Sequence, residues 1–290
     1  MLHRFALCLA TSIVGTAALA QSCKLVEKFD KGKTPVFLTE KDYIYFRANM
    51  DVNSDGALES YKIDDLGHFT NNRLTTHSAL NVICNGVNIR NASHKVVFNY
   101  RRCGSLIRAF KEIRAANWRP ANGRYVDFYA IALKERLSRS GKNHGIPCEK
   151  DGYYVSQVAR PIDSSKNVCD PARWVDALAI PAIVLPLTRK MRETGVQLHD
   201  LAAVRVPGKN KWFGAIVGDT NPSKIGEGTV VLTMWLQERD KKPENYRQTI
   251  SLQVNSVDYL VFPGSRSMLP KLSNQSGDII NEKGRELVKK

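Results

Sequence analysis

Residues 212–235 read WFGAIVGDTNPSKIGEGTVVLTMW, and the fold turns on them. Two apolar runs flank a polar loop. The first holds Trp212, Phe213, Ala215, Ile216 and Val217, the second Val230, Val231, Leu232, Met234 and Trp235. Short runs rich in β-branched and aromatic residues, bounded by Gly and Pro, predict two strands joined as a hairpin. Asp219 and Glu227, each preceded by Gly, then stand at the neighbouring ends of the two strands. The loop between them is Thr220, Asn221, Pro222, Ser223, Lys224, Ile225 and Gly226.

Paired carboxylates in such a place suit acid–base work, in which one is held protonated and the other ionised by different surroundings. An inverting glycosidase sets its two carboxyl groups about 6.5–9.5 Å apart to admit a water. Directly opposed residues of a strand pair are about 5 Å apart and diagonal ones about 7–8 Å, so the ends of a connecting loop can meet that distance. The plain alternative is that Asp219 caps a turn and Glu227 opens an edge strand, as acids near turns commonly do. Lys224 lies between them. Pointed inward, its charge lowers a neighbouring carboxylate pKa and suits that neighbour to the base role.

The segment GDTNPSKIGEG resembles the active-site stretch of the glycoside hydrolase family 75 chitosanases. MDVNSDG (Met50 to Gly56), DGYYVS (Asp151 to Ser156), IPAIVLP (Ile180 to Pro186) and the later VFPGS are also similar to that family, in the same order along the chain. The resemblance implies internal hydrolysis of chitosan with inversion, without cofactor or metal. It makes Asp219 and Glu227 the catalytic pair, assigned here as acid and base respectively. In the family the segment matching MDVNSDG is richer in Asp and contains a Cys; here Asn53 and Ser54 stand in their place. Asp51 and Asp55 remain, and are expected to accept hydrogen bonds from substrate amines or hydroxyls. The alternative for them is a turn with Asp55-Gly56 as its corner. The resemblance puts the Tyr153-Tyr154 strand beside the cleft. One ring of the two packs and the other faces a sugar, with Tyr153 and Lys224 the further substrate-binding candidates.

At the N-terminus, His3 and Arg4 precede an apolar run from Phe5 to Leu19, and Ala18-Leu19-Ala20 is a cleavage signal. Residues 1–20 read as a secretory signal peptide, too short for a membrane span, so the mature chain is expected to be secreted or periplasmic. A lipid anchor at Cys23 is the alternative, poorly served by Gln21. Export makes Cys23, Cys84, Cys103, Cys148 and Cys169 disulfide candidates. Cys84 with Cys103 and Cys148 with Cys169 are the local pairings, connectivity being open. Five is odd, so one thiol is expected free or paired between chains. The spacings lack a CxxC and the six His residues are scattered, so no metal site is expected. DVNSDG opens like a calcium loop, but its twelfth position is Lys62 where a bidentate acid belongs.

The chain carries 43 basic and 28 acidic residues, a net +15. Chitosan is itself cationic when protonated, so long-range steering works against it. Either the excess charge sits on solvated faces around a locally acidic cleft, or the partner is an anionic wall surface or glycan. Arg101-Arg102 and Lys289-Lys290 match no nucleic-acid module. The expected partner is a polysaccharide, with no nucleic acid and no membrane span, bound by a monomer.

The mature 21–290 fits one domain. Pro35–Leu38, Tyr43–Tyr45, Ala79–Ile83, His94–Tyr100, Ile180–Pro186, Leu201–Val206, Gln248–Val254 and Tyr259–Phe262 read as strands. Leu106, Ile107, Phe110 and Ile113 recur at helical spacing, and a second helix is read over Tyr125–Leu137, making a helical insertion at about 104–141. Asp170-Pro171 starts a short helix. Past Ser267 a mobile tail or a short terminal helix is expected. The whole predicts a mainly β (α+β) fold: a small closed β-barrel resembling a double-psi barrel, with a helical insertion. A non-catalytic exported protein that binds glycan or cell envelope on the same fold is the alternative function.

Overall fold

The structure, a computed structural model, describes residues 23–137 and 143–289. The expected signal peptide and residues 138–142 of the expected insertion lie outside the described residues. Eight strands form the main sheet: β1 (Lys24–Phe29), β2 (Thr34–Leu38), β3 (Ile44–Asn53), β4 (Ala182–Val184), β5 (Leu201–Arg205), β6 (Phe213–Asp219), β7 (Glu227–Thr229) and β8 (Val254–Val261). Their spatial order is β1-β2-β3-β7-β4-β6-β5-β8, and β8 also pairs with β3. The six strands from β3 to β8 therefore close into a barrel, which leaves no open edge among them. The β1–β2 hairpin is attached along the first half of β3, on the edge whose second half pairs with β7.

Two contacts in the barrel, β3–β7 and β4–β6, are parallel, and the other four are antiparallel. Exchanging β3, β4 and β5 with β6, β7 and β8 reproduces the same cyclic order and carries one parallel pair onto the other. The small closed barrel expected from the sequence is thus present, with a two-fold repeat of topology. Its interior is filled by Phe46, Met50, Ile183, Val204, Val217, Val257 and Tyr259. Phe46 and Tyr259 stack at 4.3 Å between ring centroids across β3 and β8. Burying such a side chain contributes on the order of 1.5–3 kcal/mol, so this row of residues dominates barrel stability.

Between β3 and β4 the chain builds a lobe with its own core, including Tyr61, Val82, Ile89, Phe110, Trp118, Phe128 and Tyr154. The helix Cys103–Ala115 packs Leu106, Phe110 and Ile113 inward, as its spacing predicts. It contacts a three-stranded sheet of Val96–Phe98, Val87–Asn91 and Arg124–Phe128. The Cys84–Cys103 and Cys148–Cys169 disulfides are the two local pairings. No cysteine is free among the described residues, so of the two outcomes expected from the odd count, a free thiol or a pairing between chains, the free thiol is not found there.

Four local expectations are corrected. Tyr125–Leu137 is not a helix: Arg124–Phe128 and Leu133–Arg136 are strands. Tyr125, Val126, Asp127 and Phe128 are buried, and the segment pairs along its whole length with Val87–Asn91, which fixes an extended backbone. Ala79–Ile83 is not a strand; its residues lie in a bend and enter the short helix Ile83–Asn85. The run Val230–Trp235 is the helix Val230–Leu236, and residues 212–235 hold no hairpin, because β6 and β7 do not pair. That helix is buried at Val230, Leu232, Thr233, Met234 and Leu236, so its apolar run has no polar face to reveal a helical period. Gln248 lies in the helix Tyr246–Ile250, whose N-cap Asn245 accepts a hydrogen bond from the Gln248 amide at 3.0 Å. The C-terminus forms a full helix, Gly277–Lys289. Asn281 on it accepts a hydrogen bond from the Gly214 amide at 2.9 Å, seating the helix on β6.

Candidate active site

One register row crosses four strands. Asp51 on β3 is the partner of Glu227 on β7, Glu227 is the partner of Val184 on β4, and Val184 is the partner of Asp219 on β6. Residues in register on adjacent strands share a face. Met50 and Ile183, one residue away from this row, belong to the barrel interior. The row therefore lies on the outer wall, on the side covered by the lobe.

Asp219 reaches that wall through a bulge. Ile183 pairs with Val217, but the next residue, Val184, pairs with Asp219, leaving Gly218 extra. Val217 points into the barrel. Strict alternation would send Gly218 outward and Asp219 inward, and the extra residue re-aims the carboxylate. Glycine is required here, because a Cβ on Gly218 would lie 2.6 Å from the Ala182 Cβ. The GEG around Glu227 has a similar cause. A Cβ on Gly226, at φ +86°, would meet the Asn49 carbonyl oxygen at 2.2 Å, and one on Gly228 would meet the Met50 sulfur at 2.5 Å. These glycines let β7 lie flat against β3 and hold Glu227 beside Asp51.

The two candidate catalytic acids are not on neighbouring strands, as a hairpin would require. With β4 between them, their backbones stand about 9–10 Å apart, two strand spacings. Asp219 Oδ1 accepts the Ala159 amide at 2.7 Å. Burial raises the Asp219 pKa to about 6; the Ala159 and Thr220 amides oppose the rise and the Glu227 charge adds to it. Glu227 is placed differently. Lys224 Nζ lies 2.5 Å from its Oε1, and Asn221 Nδ2 donates to its Oε2 at 3.4 Å. Lys224 also reaches Asp51 Oδ2 at 2.9 Å, so it does point inward and bridges two acids. Burial lowers the Lys224 pKa, but Glu227 and Asp51 outweigh it and the net shift is upward.

Asp55 is the most perturbed member. Burial pushes its pKa up to about 8, and the charges of Asp219 and Glu227 push the same way, against hydrogen bonds from Tyr61 and Ser156. The Tyr61 hydroxyl donates to Asp55 Oδ1 at 2.6 Å. Asn53 Oδ1 accepts the Asp55 amide at 2.7 Å, and the Gly56 amide donates to Ser156 Oγ at 2.9 Å. The corner at Asp55-Gly56 and the cleft carboxylate are thus the same feature. Asp55 is a proton holder walled in by the lobe, and less open to a substrate amine than its motif alone suggests.

The structure brings together Asp51, Asp55, Asp219, Glu227 and Lys224. Tyr153 is not drawn into the cluster: it pairs with Lys62, whose ammonium stands 5.9 Å from its ring centroid, while Tyr154 is the buried ring of the pair. Sequence reasoning missed Tyr61, Asn221, Ser156 and the Ala159 amide. Asn221 had a signal, lying between the two acids in the quoted loop, where its Oδ1 also accepts the Ser223 and Lys224 amides. Tyr61 had none, since only folding of the lobe carries it to Asp55. Four carboxylates against one ammonium make the cluster acidic, despite the basic chain.

The arrangement can hold one proton at Asp219 or Asp55 while Glu227 stays paired to a cation, which is the division of labour general acid–base chemistry needs. The chain matches no protein-family model and no curated protein.

Proposed function

We propose that the chain is an exported, endo-acting glycoside hydrolase that cleaves chitosan-like β-1,4-glucosamine polymers with inversion, in the manner of the family 75 chitosanases its motifs resemble. The observation that carries the reading is the outward row Asp51–Glu227–Val184–Asp219, aimed by a bulge and by the glycines that let β7 lie against β3. A backbone separation of about 9–10 Å lets the carboxyl groups lean to the roughly 6.5–9.5 Å of inverting enzymes and is wide for the roughly 5–5.5 Å of retaining ones. Asp219 protonates the leaving oxygen. Glu227, ion-paired with Lys224, removes a proton from the water that attacks the opposite face of the sugar. Asp51 and the acidic cluster attract a substrate amine over the short range that the whole-chain charge does not govern. Two disulfides fit an oxidising compartment, and no helix among the described residues is long and apolar enough to cross a membrane.

The test is reducing-end release from chitosan and from partly acetylated chitosan by the mature protein, with Asp219→Asn and Glu227→Gln alongside. Release by the wild type, lost in both folded variants, is the expected result. No release from either polymer overturns the reading.

One observation favours a second reading. Lys224 is already ion-paired with both Glu227 and Asp51, and the chain carries +15. A non-catalytic exported protein that binds anionic glycan or envelope polymer accounts for both. Saturable binding to such a polymer without hydrolysis, unchanged in Asp219→Asn, would select it.

A further inference from the structure

We propose that Asp65, His68 and His77 form a binding site for a divalent transition-metal ion of the zinc class, on the lobe and separate from the carboxylate row. Each offers one ligand atom, and these atoms all lie within 4.8 Å of one another. The residues are scattered in sequence and folding gathers them. His68 begins the strand His68–Thr70, which pairs with Arg73–Thr75, and its register partner is Thr75. The turn between them is Asn71-Asn72, both at positive φ, 50° and 58°. Two such residues make the tight turn whose twist suits a hairpin. His77, two residues past Thr75, returns beside His68, and the two imidazole rings stack at 4.1 Å, 19° from parallel.

Asp65 supplies an independent observation. Its carboxylate is buried, 8% exposed, and has no ion pair among the described residues. Its Oδ2 accepts the backbone amides of His77 and Ser78, each at 2.8 Å, which fixes the group's direction. The nearest side-chain cation in sequence, Lys62, is drawn to Ser78 Oγ at 2.9 Å. A buried, oriented carboxylate without a counter-charge is costly, and a cation bound there relieves that cost. Neither imidazole ring is hydrogen-bonded to the protein among the described residues, so both have a nitrogen to give.

Two imidazoles and one carboxylate select the metal. Calcium and magnesium call for oxygen ligands, whereas imidazole with carboxylate suits zinc and its neighbours. Zinc–nitrogen bonds of about 2.0–2.1 Å place tetrahedral ligands about 3.3 Å apart, and imidazole lone pairs lie in the ring planes, so the set closes when one ring swings out of the stack to aim its nitrogen at the ion. His77 is exposed and can turn without unpacking the core. With three protein ligands, a fourth position stays open to water. The bound ion ties the hairpin to the segment that leads from Tyr61, the residue that holds Asp55, and so braces one wall of the cleft.

The test uses tag-free mature protein, stripped with chelator and titrated with zinc chloride by calorimetry. One ion per chain is expected, weakened by at least about tenfold in His68→Ala and in His77→Ala. His94→Ala, which removes an imidazole engaged with Tyr125, leaves it unchanged. Cobalt(II) in place of zinc should give visible absorption that both ligand variants lose. Absence of saturable zinc binding, or binding indifferent to His68→Ala and His77→Ala, overturns the proposal. If His68→Ala misfolds, the exposed His77→Ala alone decides.

Discussion

Asp219 and Glu227 are both register partners of Val184, so a strand, and not the loop that joins them in sequence, sets the distance between them. The loop of Thr220 to Gly226 instead delivers Lys224 and Asn221 to Glu227. Shortening the loop would strip the partners of one acid before it moved either carboxylate.

The carboxyl cluster makes stability depend on pH. An aspartate in the unfolded chain ionises near 3.9. Asp219 is raised to about 6 and Asp55 to about 8, so between pH 4 and 8 the folded state keeps protons that the unfolded state has lost. Their contribution is fully present below about pH 4 and is lost as pH rises through 6 and then 8. Melting curves at pH 4, 6 and 8 should show the wild type losing stability along that series and Asp55→Asn losing less. A variant parallel to wild type at all three values would remove Asp55 from the account.

The same shift bears on activity. With Asp219 as acid, chitosan hydrolysis should decline as pH rises through about 6, because the proton that Asp219 delivers is lost there. The kcat/KM profile against pH measures it; a profile flat from pH 5 to 8 would count against Asp219 as the acid.

Lys224→Met removes the cation between Asp51 and Glu227, leaving two like charges about 5 Å apart on paired strands. Glu227 then loses the ion pair that orients its carboxylate, and kcat/KM on chitosan should fall about tenfold. The Lys224 side chain is half exposed, so its ion pairs contribute only about 0–1 kcal/mol and the melting temperature should scarcely move.

Gly226→Ala and Gly228→Ala should differ. Gly226 is itself at positive φ, and the added methyl meets the Asn49 backbone carbonyl, so neither can give way. At Gly228 it meets the Met50 side chain, which can swing aside. Gly226→Ala should cost on the order of 2 kcal/mol or more, with Gly228→Ala losing less, as read from urea denaturation.

Replacing Cys84 and Cys103 together by Ala should cost about 2–4 kcal/mol, because the cross-link closes the loop that leads into the lobe helix. Denaturation of the double variant and of wild type, both under oxidising conditions that keep the Cys148–Cys169 bond, isolates the Cys84–Cys103 bond. Equal stability of the two oxidised proteins would show the lobe core to be sufficient alone.

What could be read from the chain alone was local. Apolar runs marked the barrel strands β2, β4, β5 and β6, and the spacing of Leu106, Phe110 and Ile113 marked the lobe helix. The acids Asp219, Glu227 and Asp55 stood out by type and by their glycine neighbours, Asp51 by the resemblance of its segment to the chitosanase motif, and short separations suggested both disulfides. These signals survive because each depends on residues a few positions apart. The misread segments fail for one physical reason. Val230–Leu236 is buried on most of its surface, and Tyr125–Phe128 is held extended by pairing with Val87–Asn91, so in each the environment supplied by distant chain overrode the local pattern. Tertiary structure alone decided that β4 separates the two acids, that the extra residue at Gly218 turns Asp219 outward, that the Tyr61 hydroxyl meets the buried Asp55 carboxyl, and that Asp65, His68 and His77 meet. Each of those depends on strand register or on the lobe closing over the barrel. Register is a property of paired strands, and no single stretch of sequence carries it.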